Sequence, residues 1–161
     1  MALYKFYDAD DRGTQVYDIS GARYQQLLEV CFQNCTSVSM CVHMDALVDL
    51  LSIEPYCLPI TPQVKAQYAH GNRFISEDST YRIVHYVLAP EVKRFLRTRA
   101  DGIFQWAYGW GKENPEDLTF FRPDGTVFFS LSVHTGECTL SPCEEEDVSL
   151  ILSDPRWVAM V

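Results

Sequence analysis

Histidine and cysteine are the side chains of this chain best suited to acid–base or nucleophilic chemistry at neutral pH. The histidines are scattered at positions 43, 70, 85 and 134. His134 is the most suggestive, because Glu137 and Cys138 follow it closely and a histidine beside a thiol can generate a nucleophile. Their short separation along the chain does not by itself place them in contact. A small enzyme that uses His134 with Cys138 or Glu137 is therefore the alternative hypothesis.

The cysteine spacing favours free thiols over zinc ligands or disulfides. The six cysteines lie at 31, 35, 41, 57, 138 and 143, without the closely spaced pairs typical of structural zinc sites. The start of the chain lacks the basic and apolar regions of a secretory signal, so we expect reduced thiols in the cytoplasm. No glycine-rich phosphate loop, nucleophile elbow or His-x-x-x-His pair occurs in the sequence. We therefore predict no catalytic residue, no metal site and no cofactor.

Composition and charge narrow the class of protein. The 161 residues suit a single domain over 1–161, and 47% hydrophobic with 22% charged residues is typical of a globular chain. Twenty-two acidic against 13 basic residues give a net charge of −9, and residues 113–161 hold ten of the acids but two of the bases. Such a surface repels phosphate backbones and attracts basic proteins. No apolar run is long enough to span a membrane, so neither nucleic acid nor membrane is an expected partner.

The elements that position these residues can be predicted from hydrophobic periodicity and turn residues. Strands are predicted near 2–7, 37–43, 80–88, 118–122, 126–133 and 136–140. Helices are predicted after Ser20, over about 44–52, after Pro90 and from Ser141, with Gly102 as a left-handed cap. Pro123, Asp124 and Gly125 form the turn of a hairpin. This pattern predicts an α+β fold, a mainly antiparallel sheet with three or four helices packed on it.

Two segments could be either structural or functional. If residues 103–110 are extended, the aromatic rings of Phe104, Trp106, Tyr108 and Trp110 share one face. That face would be core or a recognition surface, since Trp and Tyr dominate interface energetics. The stretch 54–63 contains three prolines and is predicted to be irregular, either a surface crossing or a binding loop.

One part of the sequence resembles a known family. Residues 80–140 contain the run Pro115, Glu116, Asp117 and Leu118, followed by a Phe-Phe-Arg-x-Asp-Gly turn and by Ser132, Val133 and His134. This segment resembles small bacterial proteins found among the immunity proteins of polymorphic toxin systems. The chain departs from that pattern at Thr135, where the family usually has a glutamate.

The resemblance implies a cytoplasmic, non-enzymatic protein that binds a cognate toxin domain and occludes its active site. Charge asymmetry and the aromatic segment indicate which residues would make contact. The predicted partner-binding residues are Glu113, Glu116, Asp117, Glu144, Glu145, Glu146, Asp147, Trp106 and Trp110. A third hypothesis is an acidic mimic of nucleic acid that blocks a DNA-binding protein.

Overall fold

The fold is built on one large antiparallel sheet and a small hairpin. The computed structural model describes residues 2–68, 81–109 and 111–161. Its strands are β1 (Leu3–Tyr7), β2 (Ser37–His43), β3 (Tyr81–Val87), β4 (Tyr108–Gly109), β5 (Lys112–Glu113), β6 (Glu116–Phe121), β7 (Val127–Ser132), β8 (Glu137–Leu140) and β9 (Val158–Met160). Its α-helices are α1 (Ala22–Asn34), α2 (Pro62–Gln67), α3 (Pro90–Arg99) and α4 (Ser149–Leu152), with short 3-10 turns at Glu54–Tyr56 and Ile103–Gln105.

Seven strands form the large sheet in the order β3-β2-β6-β7-β8-β1-β9, and all of its neighbouring strands are antiparallel. The register places Glu137 opposite both Ser132 and Tyr7, and Glu116 opposite Cys41. The end of the sheet where β6 and β8 begin and where β1, β2 and β7 finish is called the upper end below. The opposite end, beyond the β6–β7 turn, is the lower end.

The two faces of the sheet are covered differently. Neighbouring residues of a strand point to opposite faces, so Phe120 packs into the main core while Phe121 packs into a smaller cluster. The main core lies between the sheet and the helices α1, α3 and α4. Helix α2 contributes Val64 to the smaller cluster, on the other face.

Several predicted elements are confirmed. Helix α1 buries Tyr24, Leu27, Leu28 and Cys31, which is the stripe that its sequence periodicity predicts. Helix α3 begins at Pro90 and buries Val92 and Leu96. The β6–β7 hairpin closes through Gly125, which has a positive φ of 85°. Glycine adopts this conformation without strain because it has no Cβ. The fold is α+β, with four α-helices in the described ranges and a mainly antiparallel sheet.

Other predicted elements are wrong, and each error has a local cause. Residues 44–52 contain no helix, because their apolar stripe finds no core surface to cover. Gly102 is extended, with φ of −151°, because it forms an isolated antiparallel bridge with Ser20 and does not cap a helix. The hydrogen bonds of this bridge run from Gly21 N to the Asp101 carbonyl and from Ile103 N to the Ile19 carbonyl. The predicted helix from Ser141 begins only at Ser149, after a loop.

Two further corrections concern the ambiguous segments. Residues 103–105 form a 3-10 turn, so Phe104, Trp106 and Tyr108 do not share one extended face. The proline-containing stretch is not wholly irregular, because Glu54–Tyr56 forms a 3-10 turn and α2 begins at Pro62. Ser20 does not cap α1, whose cap position is Gly21.

In the described part of the chain, no helix has the length and apolarity needed to cross a lipid bilayer.

Candidate functional site

The most chemically equipped surface of the described chain is a polar cleft at the upper end of the sheet. The cleft encloses about 650 Å³ and is open on one side. Segments that are distant in sequence meet there, including the β1–α1 connection, the β4–β5 hairpin and the β7–β8 turn. Its polar lining consists of Asp8, Gln15, Asp18, Lys112, Glu116 and His134, and its aromatic lining of Tyr17, Phe104 and Tyr108.

Asp8 is held in the cleft by close backbone packing. Its backbone N–H donates to the carbonyl of Gly136 at 2.8 Å, and its carboxyl group lies directly over the glycine Cα. A Cβ at Gly136 would come within 2.8 Å of Asp8 Cγ, so a larger residue would displace the carboxyl group. Burial raises the pKa of Asp8, and the neighbouring charge of Asp18 raises it further.

Asp18 is fixed on the opposite wall by two backbone amides. Its Oδ1 accepts from Ile19 N at 2.7 Å and from Phe104 N at 3.0 Å. The carboxyl group also packs against Gly102, where a Cβ would lie 2.9 Å from its Cγ. Burial raises the pKa of Asp18 despite these two hydrogen bonds. The two aspartates therefore hold negative charge where the fold itself disfavours it.

Glu116 and His134 form the floor of the cleft. The Glu116 side chain is 1% exposed, and its Oε2 lies 3.4 Å from Nε2 of the half-exposed His134 imidazole. The next residue, Asp117, has a positive φ of 56°, a conformation that is uncommon outside glycine. Its Oδ1 accepts from Val133 N at 2.9 Å, which ties the start of β6 to the residue before His134. This hydrogen bond thus joins the residues next to Glu116 and His134.

The β4–β5 hairpin forms the outer wall. The ring of Tyr108 stacks on the imidazole of His43, with centroids 4.1 Å apart and planes 9° apart, which joins the hairpin to the end of β2. Lys112 of this hairpin lines the cleft. Its positive charge lowers the pKa of both Asp8 and Asp18 and so partly opposes the effect of burial. Hairpin residues also line a second open cavity of about 850 Å³ on the side of Arg99.

The predicted acidic contact residues do not form one surface. Glu113, Glu116 and Asp117 lie at the upper end, around the start of β6. The run 144–147 lies at the lower end, because Glu146 pairs with Arg122, the residue after β6. The length of β6 separates the two groups by about 17 Å at roughly 3.3 Å per residue. The two groups therefore do not form a single acidic patch that one partner surface could contact.

Burial corrects several predicted contacts individually. Trp106 is completely buried, and its Nε1 donates to the hydroxyl of Tyr24 at 2.9 Å, so it is a core residue rather than an aromatic anchor. Glu116 and Asp117 are also buried, and of the two Glu116 lines the cleft. Trp110 lies outside the described residues.

Among the remaining predicted contacts, Glu113, Glu144, Glu145 and Asp147 are exposed. Glu146 is mostly covered, since it makes paired hydrogen bonds of 2.7 and 2.8 Å with the Arg122 guanidinium. Asp147 accepts from Ser149 N at 3.0 Å and so stabilises the start of α4.

The alternative enzyme pairs are also corrected. Glu137 makes an ion pair with Lys5 at 2.8 Å across β1 and β8, and it is Glu116 that contacts His134. Cys138 lies in the main core, where burial raises the pKa of its thiol. A nucleophilic cysteine requires the opposite, a thiolate in an accessible environment, so Cys138 does not suit that role.

Sequence reasoning named Glu116 and His134 but missed Asp8, Asp18 and Lys112. The polar run around Asp8 has the composition of a turn, and nothing in the local spacing distinguishes its carboxylate from a solvated one. The available signal was indirect: Gly136 and Gly102 are the positions where those carboxylates pack against backbone. Among the described residues, no group of three or more His, Cys, Asp or Glu side chains could hold a metal ion.

Comparison with known proteins finds no relative of this chain. No family model, curated protein or solved structure matches the chain.

Proposed function

We propose that this chain is a non-enzymatic inhibitor of the immunity type, which binds a basic toxin domain through the upper end of its sheet. The observation that carries the proposal is the cleft, where the carboxyl groups of Asp8, Asp18 and Glu116 face one cavity. A lysine or arginine of a partner that enters this cavity would place its positive charge among three carboxylates. Such an interaction is strong when both groups are removed from water.

The charge of the whole chain supports the same kind of partner. With nine net negative charges, the protein attracts a basic surface at a distance and repels nucleic acid. Toxin domains that act on nucleic acid present basic active sites, and a chain that fills such a site blocks it without chemistry of its own. The nucleic-acid-mimic hypothesis shares this charge, but it needs an exposed row of carboxylates, and the predicted acidic contact residues are split between two ends of the sheet.

The direct test is growth rescue. The C-terminal domain encoded immediately upstream in the source genome is expressed with and without this chain, and surviving cells are counted. We expect specific rescue and a stable complex that co-purifies. A neighbour that is not toxic, or toxicity that persists although this protein is abundant and folded, would contradict the proposal.

Substitutions in the cleft connect rescue to the site. Glu116→Gln retains the shape of the side chain but removes its charge, and we expect it to weaken the complex by about 2–5 kcal/mol, as for one partner of a buried charge pair. The matched control is Glu145→Gln, an exposed residue at the lower end, for which affinity should stay within about 0.5 kcal/mol. Equal affinities of the two variants would locate binding elsewhere.

A second candidate function is acid–base catalysis by His134 and Glu116, and one observation favours it. The 3.4 Å contact places Nε2 of the histidine against a buried carboxylate, and the imidazole is half-exposed, as a general acid or base must be to reach a substrate proton. His134→Ala distinguishes the two functions. If the protein is an enzyme, the His134→Ala variant should no longer protect cells although it still binds its partner. If the protein is an occluding inhibitor, the variant should lose protection only in proportion to its loss of affinity.

A further inference from the structure

A segment beside the cleft exposes large apolar side chains to solvent. Met44, Leu47 and Leu51 are 65%, 82% and 73% exposed. They lie on the connection that leaves β2 after His43, called the 44–51 segment below. Exposed apolar side chains that cluster in one segment of a folded protein are typical of an interaction surface.

The sequence of this segment has the pattern of an amphipathic helix that is not formed. Met44, Leu47, Val48 and Leu51 have the i, i+3, i+4, i+7 spacing of one helical stripe, and Asp45 and Asp49 lie outside that stripe. Backbone turns close its two ends, with hydrogen bonds from Ala46 N to the carbonyl of residue 43 at 3.0 Å and from residue 53 N to the carbonyl of residue 50 at 3.1 Å. Within the segment, Leu51 N donates to the side chain of Asp49 at 2.9 Å. A helix this short is stable in water only when its apolar stripe packs against another surface.

The chain already holds the inner side of such a helix. Leu50, which lies outside the exposed stripe, packs against the main core. At about 100° per residue, a helical 44–51 segment that keeps this contact would place Met44, Val48 and Leu51 roughly 100° or more around the helix from Leu50, with Leu47 between the two sides. Most of the stripe would then be left to contact another molecule.

The segment adjoins the cleft. Asp45 N donates to Nδ1 of His43 at 3.1 Å, and the His43 ring stacks on Tyr108, which lines the cleft. The apolar stripe and the carboxylate-lined cavity are thus neighbouring parts of one end of the molecule. A central apolar contact surrounded by charged groups is the usual anatomy of a protein interface.

The charges of the segment specify the chemistry of its occupant. Asp45 and Asp49 flank the stripe, and the cleft carboxylates lie beyond His43. An anionic lipid surface and a second acidic copy of this chain would both be repelled. We propose that the 44–51 segment becomes helical on binding and docks in an apolar groove of the basic partner protein, a groove flanked by lysine or arginine. This inference rests on the proposed function, since its occupant is the same partner.

Nuclear magnetic resonance of the full-length chain tests the inference directly. The probe is the upstream toxin domain, inactivated by substitution, and the readouts are the ¹³Cα chemical shifts and amide hydrogen exchange of residues 44–51. Helical shifts and slowed exchange on complex formation would support the inference. A complex in which these residues keep their free shifts would overturn it while the proposed function stands. Absence of any complex would overturn both.

Two pairs of variants separate side-chain contact from helix formation. Leu47→Asp should weaken the complex about 30-fold, the loss typical of a central interface residue. Met160→Asp places the same charge on an exposed residue of the edge strand β9 and should change affinity less than about twofold. Val48→Pro should weaken binding at least about 30-fold because an interior proline breaks a helix, whereas Val48→Ala keeps helix propensity and should lose less than about fivefold.

Other occupants give different results in the same set of proteins. Equal binding by Val48→Pro and Val48→Ala would mean that the segment docks without a helix, and the inference would be wrong. Sedimentation of the free chain tests self-association: a dimer that Leu47→Asp dissociates would show that a second copy covers the stripe, and would likewise overturn the assignment.

Discussion

At the scale of single residues, two glycines hold the cleft together. Gly136 and Gly102 leave room for the carboxyl groups of Asp8 and Asp18. A Cβ at either glycine would collide with the carboxyl group that packs against it. Gly136 is further constrained by its positive φ of 67°, a conformation that costs other residues roughly 1–2 kcal/mol. The position of the charges is therefore encoded partly in residues that carry no chemistry.

Gly136→Ala should destabilise the chain by more than its backbone conformation alone requires. The matched control is Gly13→Ala, because Gly13 also has a positive φ, of 77°, but a Cβ there meets nothing within 4 Å. We expect a loss of about 1–2 kcal/mol for Gly13→Ala and at least about 1 kcal/mol more for Gly136→Ala, from the collision with Asp8. Urea unfolding of both variants measures the difference. Equal losses would show that Asp8 moves aside freely and is not held by the glycine.

At the scale of elements, the sequence predicts what is locally determined. Helix α1 and the β6–β7 hairpin follow from periodicity and turn chemistry, because each buries its stripe within the chain or closes through nearby residues. The 44–51 segment has an equally good helical pattern and forms no helix, because a pattern specifies a stripe but not the surface that covers it. The cleft was less predictable still: Glu116 and His134 lie in a recognisable run, whereas Asp8 and Asp18 enter through tertiary contacts with remote glycines.

The loop between β8 and α4 shows how a buried ion pair can replace regular structure. The Arg122 guanidinium donates to Glu146, to the carbonyl of Val127 and to the carbonyl of Ser141, and Glu146 Oε1 accepts from Cys143 N at 2.7 Å. This network holds the loop against the lower end of the sheet, where the sequence predicts a helix. Hydrogen bonds from Arg122 are the main cause that lowers the pKa of Glu146.

Glu146→Gln should destabilise the chain by about 2 kcal/mol at pH 7, since it weakens charge-assisted hydrogen bonds. Because folding lowers the pKa of Glu146, the contribution of its charge is present above the ordinary value of 4.5 and disappears as the pH falls through the folded-state pKa. The stability difference between the two proteins should therefore be constant from neutral pH to about pH 5 and shrink below it. The exposed Glu145→Gln serves as control, and a difference that persists unchanged at acidic pH would contradict the ion-pair account.

At the scale of the whole molecule, the two ends of the sheet use carboxylates in opposite ways. At the lower end Glu146 is paired and stabilises the fold, whereas at the upper end burial raises the pKa of Asp8 and Asp18, so that their charges oppose folding. Unfavourable charge retained in a cavity is typical of a functional site, where stability is lost in exchange for a ligand interaction. This contrast favours the upper end, rather than the more obviously acidic run 144–147, as the surface that would bind the proposed partner.

Asp18→Asn tests this division of roles because it should change stability and binding in opposite directions. Asparagine keeps an oxygen acceptor for Ile19 N and Phe104 N but carries no charge. Folding raises the pKa of Asp18 above 3.8, so the wild type loses stability relative to the variant as the pH rises through the interval from 3.8 to the raised value, and the difference stays constant above it. Unfolding free energies across this range should show the variant to be the more stable protein at pH 7, with a complex at least about tenfold weaker. If Asp18→Asn were less stable at pH 7 and bound the partner as tightly as the wild type, the aspartate would be a structural residue, and the cleft would lose the electrostatic argument for its function.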